Sequence, residues 1–148
     1  MPVLEKERPV FGEGPRDARI MLIGQNPGAE EARQGRPFVG RAGKFLDDVL
    51  SKTKLKRDRL YITNVVKQTT LGNRRPTATE VKCWMPSLLD EIRQVKPEVI
   101  VLMGKVAQEV PRFEGIRYIE TYHPAAAMRF PKAREKFEKD FEQLKGLA

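Results

Sequence analysis

The sequence predicts an α/β protein, a three-layer α/β/α sandwich around a central, mainly parallel four-stranded sheet, with residues 1–148 forming a single domain. Three observations carry that prediction. Near-continuous apolar runs, among them Ala18–Gly24 and Glu98–Gly104, end at glycine; such runs suit strands covered on both faces, as in a parallel sheet. Stretches of helical spacing alternate with them, which places helices on both sides of that sheet. The 148 residues are one domain's worth and suffice to bury one good core.

The first strand runs from Ala18 to Gly24, and Gln25-Asn26-Pro27-Gly28 must then turn, because Pro-Gly does not continue a strand. A polar, glycine-bearing loop is expected through Gly35, Pro37 and Gly40. From Ala42 to about Lys52 the spacing of Phe45, Leu46, Val49 and Leu50 reads as a helix. Leu60–Val66 is a second strand, rich in β-branched residues. The loop Thr69–Pro76 holds Gly72, Asn73, Arg74 and Arg75. Thr77 followed by Glu80 resembles a capping box opening a helix to about Val95, with Pro86 as a kink. The third strand, Glu98–Gly104, leads to a short helix around Val106–Val110 and a fourth strand over Gly115–Thr121. After His123-Pro124, the spacing of Ala133, Phe137, Phe141 and Leu144 marks a final amphipathic helix.

Composition narrows the function classes. With 40% hydrophobic and 32% charged residues the chain reads as globular, neither disordered nor fibrous. No apolar run approaches the ~18 residues of a membrane span, and no leader pattern opens the chain, so no membrane partner and a cytoplasmic location are expected. One cysteine, Cys83, excludes an internal disulfide and cannot by itself hold a metal. It lies beside Trp84 in a helix, which reads as a packed thiol. The net charge of +8 is unevenly placed: residues 33–82 hold 13 basic and 4 acidic residues. That is the pattern of a surface meant for phosphates, with a solubilising face as the plain alternative. The mixed charges of the last helix give no reason for an obligate oligomer, so a monomer is expected.

Ligands in such sheets bind outside the carboxyl ends of the strands. That rule selects Gly24–Gly28, Asn64–Lys67, Gly104 and Tyr122–Pro124. His123, the chain's one histidine, can donate a hydrogen bond to developing negative charge or serve as an ordinary structural residue. Asn64 offers an acceptor and two donors able to read a pyrimidine edge, or caps a turn. Phe38, in a basic loop, is either a stacking platform for a base or a plug on the core. Gln25 and Asn26 orient a water or form the turn, since no amide acts as a general base near neutrality. Gly24-Gln25-Asn26-Pro27-Gly28 lacks the spacing of a dinucleotide fingerprint, and its proline removes an N–H that would cradle phosphate.

Val10–Gly14 (VFGEG), Ala18–Gly28 (ARIMLIGQNPG), Gly35–Leu50 (GRPFVGRAGKFLDDVL), Tyr61–Lys67 (YITNVVK), Gly72–Pro76 (GNRRP) and Thr121–Arg129 (TYHPAAAMR) occur in this order. Together they resemble the uracil-DNA glycosylase superfamily, nearest to its family-4 branch, over nearly the whole chain. The resemblance implies a base-excision repair enzyme that flips a deaminated base out of DNA and hydrolyses its glycosidic bond. It implies that Phe38 stacks on the base, that Asn64 bonds the uracil edge with Tyr61 as support in the same strand, and that His123 contacts the O2 side. Gly24 and Gly28 would border the base, with Asn26 and Gln25 as the water-positioning candidates. Ala125–Arg129 matches the loop that enters the minor groove, so Ala127, Met128 and Arg129 are DNA-contacting candidates. Arg41, Lys44, Arg74 and Arg75 would hold phosphates.

The chain departs from that family twice. Family-4 enzymes carry four cysteines for a [4Fe–4S] cluster; here the amino-terminal pair is absent, Gln68 and Trp84 stand where two are expected, and Cys83 is one residue out of register. No cofactor is therefore expected, with side-chain packing around Trp84 in its place. The family's first motif has Gly-Glu-x-Pro-Gly, whereas this one reads GQNPG. Uracil is the expected base. A hypoxanthine- or xanthine-directed glycosylase and a non-catalytic damage-binding module are the alternatives.

Overall fold

The structure, a computed structural model, describes residues 8–147. Its strands are β1 (Ile20–Gly24), β2 (Tyr61–Asn64), β3 (Val99–Met103) and β4 (Arg117–Thr121), joined in the order β2-β1-β3-β4. All three pairings are parallel, so the sheet is wholly and not mainly parallel. Every residue of β1, β2 and β3 is buried, which explains their unbroken apolar runs.

Alternation along the strands divides the core in two. Ile20, Leu22, Val99 and Val101 face one layer, where α2 (Arg41–Lys52), α5 (Pro124–Arg129) and α6 (Pro131–Glu142) bring Leu46, Val49, Leu50, Ala127, Phe137 and Phe141. Met21, Ile23, Ile100 and Leu102 face the other, where α3 (Ala78–Val95) and α4 (Lys105–Gln108) bring Leu88, Ile92, Val95, Val106 and Ala107. At ~1.5–3 kcal/mol for each fully buried large apolar side chain, these two layers are the main stabilising term. Before β1, the chain runs along the free side of β2. Glu13 and Ile62 exchange backbone hydrogen bonds of 2.9 Å, and Val10 N–H donates to the Lys67 carbonyl at 2.7 Å. That segment covers an edge which would otherwise expose its N–H groups.

Two elements differ from the sequence reading. The segment expected to be loop contains α1 (Ala29–Gln34), opened by a backbone-to-side-chain bond from Gly28 N–H to Glu31 (3.0 Å). The last helical stretch is split at Phe130-Pro131, because proline cannot donate within a helix but suits the first turn of a new one. Cys83 is exposed on α3, not packed; Trp84 instead meets the Phe11 ring edge-on at 6.3 Å. Among the described residues no helix is long and apolar enough to cross a membrane.

Candidate functional site

The register places the site. Gly24 lies opposite Asn64 at the carboxyl ends of β1 and β2, and β4 delivers His123 two residues past its own end. Gln25, Asn26, Gly28, Phe38, Asn64 and His123 line one cavity of about 350 Å³, together with Glu31, Ala42, Asn73, Ala125 and Ala126. Gly24 forms its wall from behind. A Cβ there would stand 2.4 Å from the Phe38 ring and 2.6 Å from Asn64 Oδ1, so only glycine lets ring and amide converge.

Asn64 is 2% exposed, and its Oδ1 is buried with no hydrogen-bond partner. An unpaired buried acceptor costs ~1–3 kcal/mol, which a ligand donor would recover. Its strand is braced beneath the cavity. Lys67, fully buried, donates from Nζ to the Asn64 carbonyl, to Thr63 Oγ1 (2.9 Å) and to Glu91 (2.6 Å). Glu91 also accepts from Gly12 N–H (3.1 Å), Tyr61 (2.7 Å) and Thr63 (2.9 Å). Burial lowers the Lys67 pKa, with the Glu91 carboxylate opposing that shift. Tyr61 thus faces Glu91 on the α3 side, and burial raises its phenol pKa; it does not line the cavity.

His123 caps α5: its Nδ1 accepts from Ala125 N–H at 3.0 Å. The ring proton is therefore on Nε2. Burial pushes the imidazole down to about 4, with Glu31 acting the other way, so the ring is neutral at physiological pH. Its centroid lies 5.7 Å from that of Phe38, tilted by 35°.

Phe38 is 5% exposed, packs on the α2-side core and lines the cavity. Its φ of 51° is left-handed, a conformation that costs a non-glycine residue ~1–3 kcal/mol and clusters at functional sites. Two charged side chains hold it. The second carboxylate oxygen of Glu31 accepts from Val39 N–H (2.9 Å) and Gly40 N–H (2.7 Å). Arg57 donates to the carbonyls of Phe38 (2.7 Å) and Pro37 (2.5 Å) and pairs with Asp47 at 2.9 Å. Glu31, Arg57 and Glu91 were not among the residues singled out in the sequence, and Lys67 was marked only as the end of the rim segment Asn64–Lys67. A lone Glu in an expected loop and a lysine at a strand end give no periodic signal.

Gln25 Nε2 donates to Asn26 Oδ1 at 3.0 Å, and Asn26 Nδ2 donates to the Pro27 carbonyl at 3.2 Å. The pair is fixed as a unit facing the cavity. Arg41 and Lys44 are exposed on the first turn of α2, which carries no acidic residue. Arg74 pairs with Glu80 at 2.7 Å and Arg75 with Glu109 at 3.1 Å, both exposed, just beyond Asn73. Met128 is half-buried, and Arg129 is exposed with its guanidinium 5.4 Å from the Phe130 ring centre. Ala127 corrects the expectation: it is fully buried in the core and offers no surface to DNA.

The positions that family-4 resemblance assigns to a [4Fe–4S] cluster do not fit one. Such a cluster takes four thiolates, whereas the chain has one cysteine, exposed on α3, and the Trp84 ring is spent on Phe11.

The chain is 36% identical over 164 residues to the Type-4 uracil-DNA glycosylase of Pyrobaculum aerophilum, covering 95% of this chain and 84% of that protein. It is 34% identical to the Type-4 uracil-DNA glycosylase of Archaeoglobus fulgidus, covering 91% and 79%. In fold it resembles the crystal structure of wild-type SMUG2 from Pedobacter heparinus, with a TM-score of 0.58 and 12% identity over 86% of this chain and 76% of that one. The family model for the uracil DNA glycosylase superfamily matches residues 11–145, and the chain belongs to that superfamily.

Proposed function

We propose that this chain hydrolyses the N-glycosidic bond of uracil in DNA, after flipping the nucleotide into the cavity between Phe38, Asn64 and His123. As a member of its superfamily it is a DNA glycosylase; the base, the flipping and the residue roles are the proposal. One observation carries it: Asn64, which lines the cavity, has in Oδ1 a buried acceptor without a partner. Uracil offers N3–H to that oxygen and O4 to the neighbouring Nδ2, whereas cytosine offers an acceptor at N3 and leaves the buried oxygen unpaired.

The chemistry follows from charge. A base in the stack is out of reach, and flipping costs a few kcal/mol. Cleavage places positive charge on the sugar and negative charge on the departing base, centred on N1 and O2. The Nε2–H of neutral His123 donates to O2, and a preorganised donor in a water-poor cavity is worth ~2.7–4 kcal/mol in the transition state. Phe38 holds the base plane by stacking. Asn26, held by Gln25, orients the water whose oxygen bonds to C1′ as the C1′–N1 bond breaks. That water's proton leaves to solvent, and the uracil anion takes one up. Among the described residues lining the cavity the one carboxylate is Glu31, and both its oxygens already accept backbone N–H groups.

The chain acts as a single domain and as a monomer in this reading. The deciding experiment is a single-turnover assay on oligonucleotides carrying uracil, hypoxanthine or xanthine, with alkali cleavage revealing abasic sites. Release of uracil well ahead of the others is the expected result. Preferential hypoxanthine release moves the chain to purine substrates, and binding without release makes it a recognition module.

A further inference from the structure

We propose that the turn at Leu71, and not only the helix after His123, opens the DNA: Leu71 enters the base stack beside the flipped nucleotide. This rests on the base-flipping reading above.

Three independent observations converge on Leu71. It is 89% exposed, far beyond Phe11 (55%), Phe130 (53%) or Tyr122 (45%). A single exposed leucine is ordinary; a leucine that the backbone holds out is not. Gly72 and Asn73 both take left-handed conformations, at φ 63° and 58°, which reverse the chain immediately after Leu71. The limbs of the turn are braced. Asn73 N–H donates to the Thr70 carbonyl at 3.0 Å, Thr70 Oγ1 donates to the Arg74 carbonyl at 2.5 Å, and Arg74 is tied to Glu80 at the start of α3. The side chain is thus presented in advance, so little ordering entropy opposes its insertion.

Position is the second observation. Asn73, in the same turn, lines the base cavity, and a hollow of about 480 Å³ beneath Leu71 shares Gly28 and Asn73 with it. The turn follows β2 and α5 follows β4, the two outer strands of the sheet. They therefore reach the cavity from opposite sides, as two lips of one mouth.

The third observation concerns the other lip. On α5, Ala127 is fully buried and Met128 only partly exposed. Ala125, exposed on that helix, carries only a methyl group, and Phe130 beyond its end is 53% exposed with the Arg129 guanidinium over its ring, so the far more exposed Leu71 supplies the apolar surface for the gap a departing base leaves. The occupant is a nucleic-acid duplex because basic residues stand beside the tip: Arg74 and Arg75 follow Gly72 and Asn73 of the turn, in the segment with 13 basic and 4 acidic residues. An apolar wedge flanked by phosphate-binding residues is how proteins unstack a base step.

The test compares Leu71→Ala and Leu71→Phe with the unaltered enzyme on uracil in a duplex and in a single strand. A wedge matters only where a stack must be opened. Leu71→Ala is expected to slow excision from the duplex about tenfold more than from the single strand, and Leu71→Phe to keep duplex excision close to the unaltered rate. A second readout does not need catalysis. A duplex carrying a fluorescent aminopurine next to a uridine whose fluorinated sugar resists hydrolysis brightens when the step unstacks. The unaltered protein and Leu71→Phe should brighten it, and Leu71→Ala should not. Equal slowing on both strands, no slowing on either, or equal brightening by all three proteins overturns the wedge. Brightening that depends on Leu71 without uracil release supports the wedge and overturns the enzymatic reading instead.

Discussion

The backbone around His123 decides where the imidazole proton sits. Because Nδ1 accepts from Ala125 N–H, the ring stays neutral with Nε2–H free for the base. Burial lowers its pKa to about 4 from 6.5. The unfolded chain takes up that proton near 6.5 and the folded one only near 4, so the neutral ring's contribution to stability is complete above 6.5 and lost as pH falls through 4. Single-turnover rates should therefore show no inflection at 6.5 and fall only toward about 4; an acid limb centred near 6.5 would mean that burial does not hold the proton off this ring in the folded enzyme. At Asn64 the expected loss is larger and independent of pH. Asn64→Ala should reduce uracil release on the order of a hundredfold to a thousandfold while folding as before, checked by the same assay and a melting curve. Asn64, His123, Gln25 and Asn26 were legible in the sequence because they stand at or just past the ends of strands, where ligands gather, and Phe38 because it is an aromatic ring in a basic loop. Ala127 was misread because its place in a motif does not give its phase on a six-residue helix, and that phase turns it into the core.

Elements hold those residues still, and here the sequence was less readable. The order of strands and helices followed from periodicity, but α1 did not, being too short for a pattern and started by Glu31. Yet α1 is what positions Phe38, since Glu31 spans from Gly28 N–H to Val39 and Gly40 N–H. Glu31→Gln keeps the size but turns one acceptor into a donor facing N–H groups. The expected result is about a tenfold loss in single-turnover rate, with a weaker apparent affinity for uracil-containing single strands, matching one charge-assisted hydrogen bond of ~1.5–3 kcal/mol. Beneath β2 the same reasoning applies to stability. Lys67→Met leaves Glu91 as an uncompensated, largely buried charge with its side chain 11% exposed. It should cost ~3–5 kcal/mol in urea unfolding, while Lys67→Met combined with Glu91→Gln should recover part of that. A single variant as stable as the original would mean that Glu91 had found water.

Over the whole molecule, basic residues stand at both ends of the strands, with Lys54, Lys56 and Arg59 preceding β2 at the amino end. Arg41, Lys44, Arg74, Arg75 and Arg129 belong to segments at the carboxyl ends of the strands, where the cavity opens. Arg19 sits at the other end, one residue before β1, paired with Glu98 at 2.9 Å. The pairs Arg74–Glu80 and Arg75–Glu109 are exposed, and such pairs are worth ~0–1 kcal/mol, so phosphates can displace the carboxylates. Each phosphate neutralised releases counterions and steepens the salt dependence of binding to duplex DNA by ~0.9 in the logarithmic slope. Replacing Arg74 and Arg75 together by Ala should flatten that slope by about 2, nearly alike for uracil-containing and undamaged duplexes, because phosphate contacts carry no base information. Arg19→Ala removes the same kind of charge from the far pole and should leave the slope where it was. Equal flattening by both changes would reduce the basic segment to net charge alone; flattening by the first and not the second would make it a surface oriented toward the phosphates around the cavity.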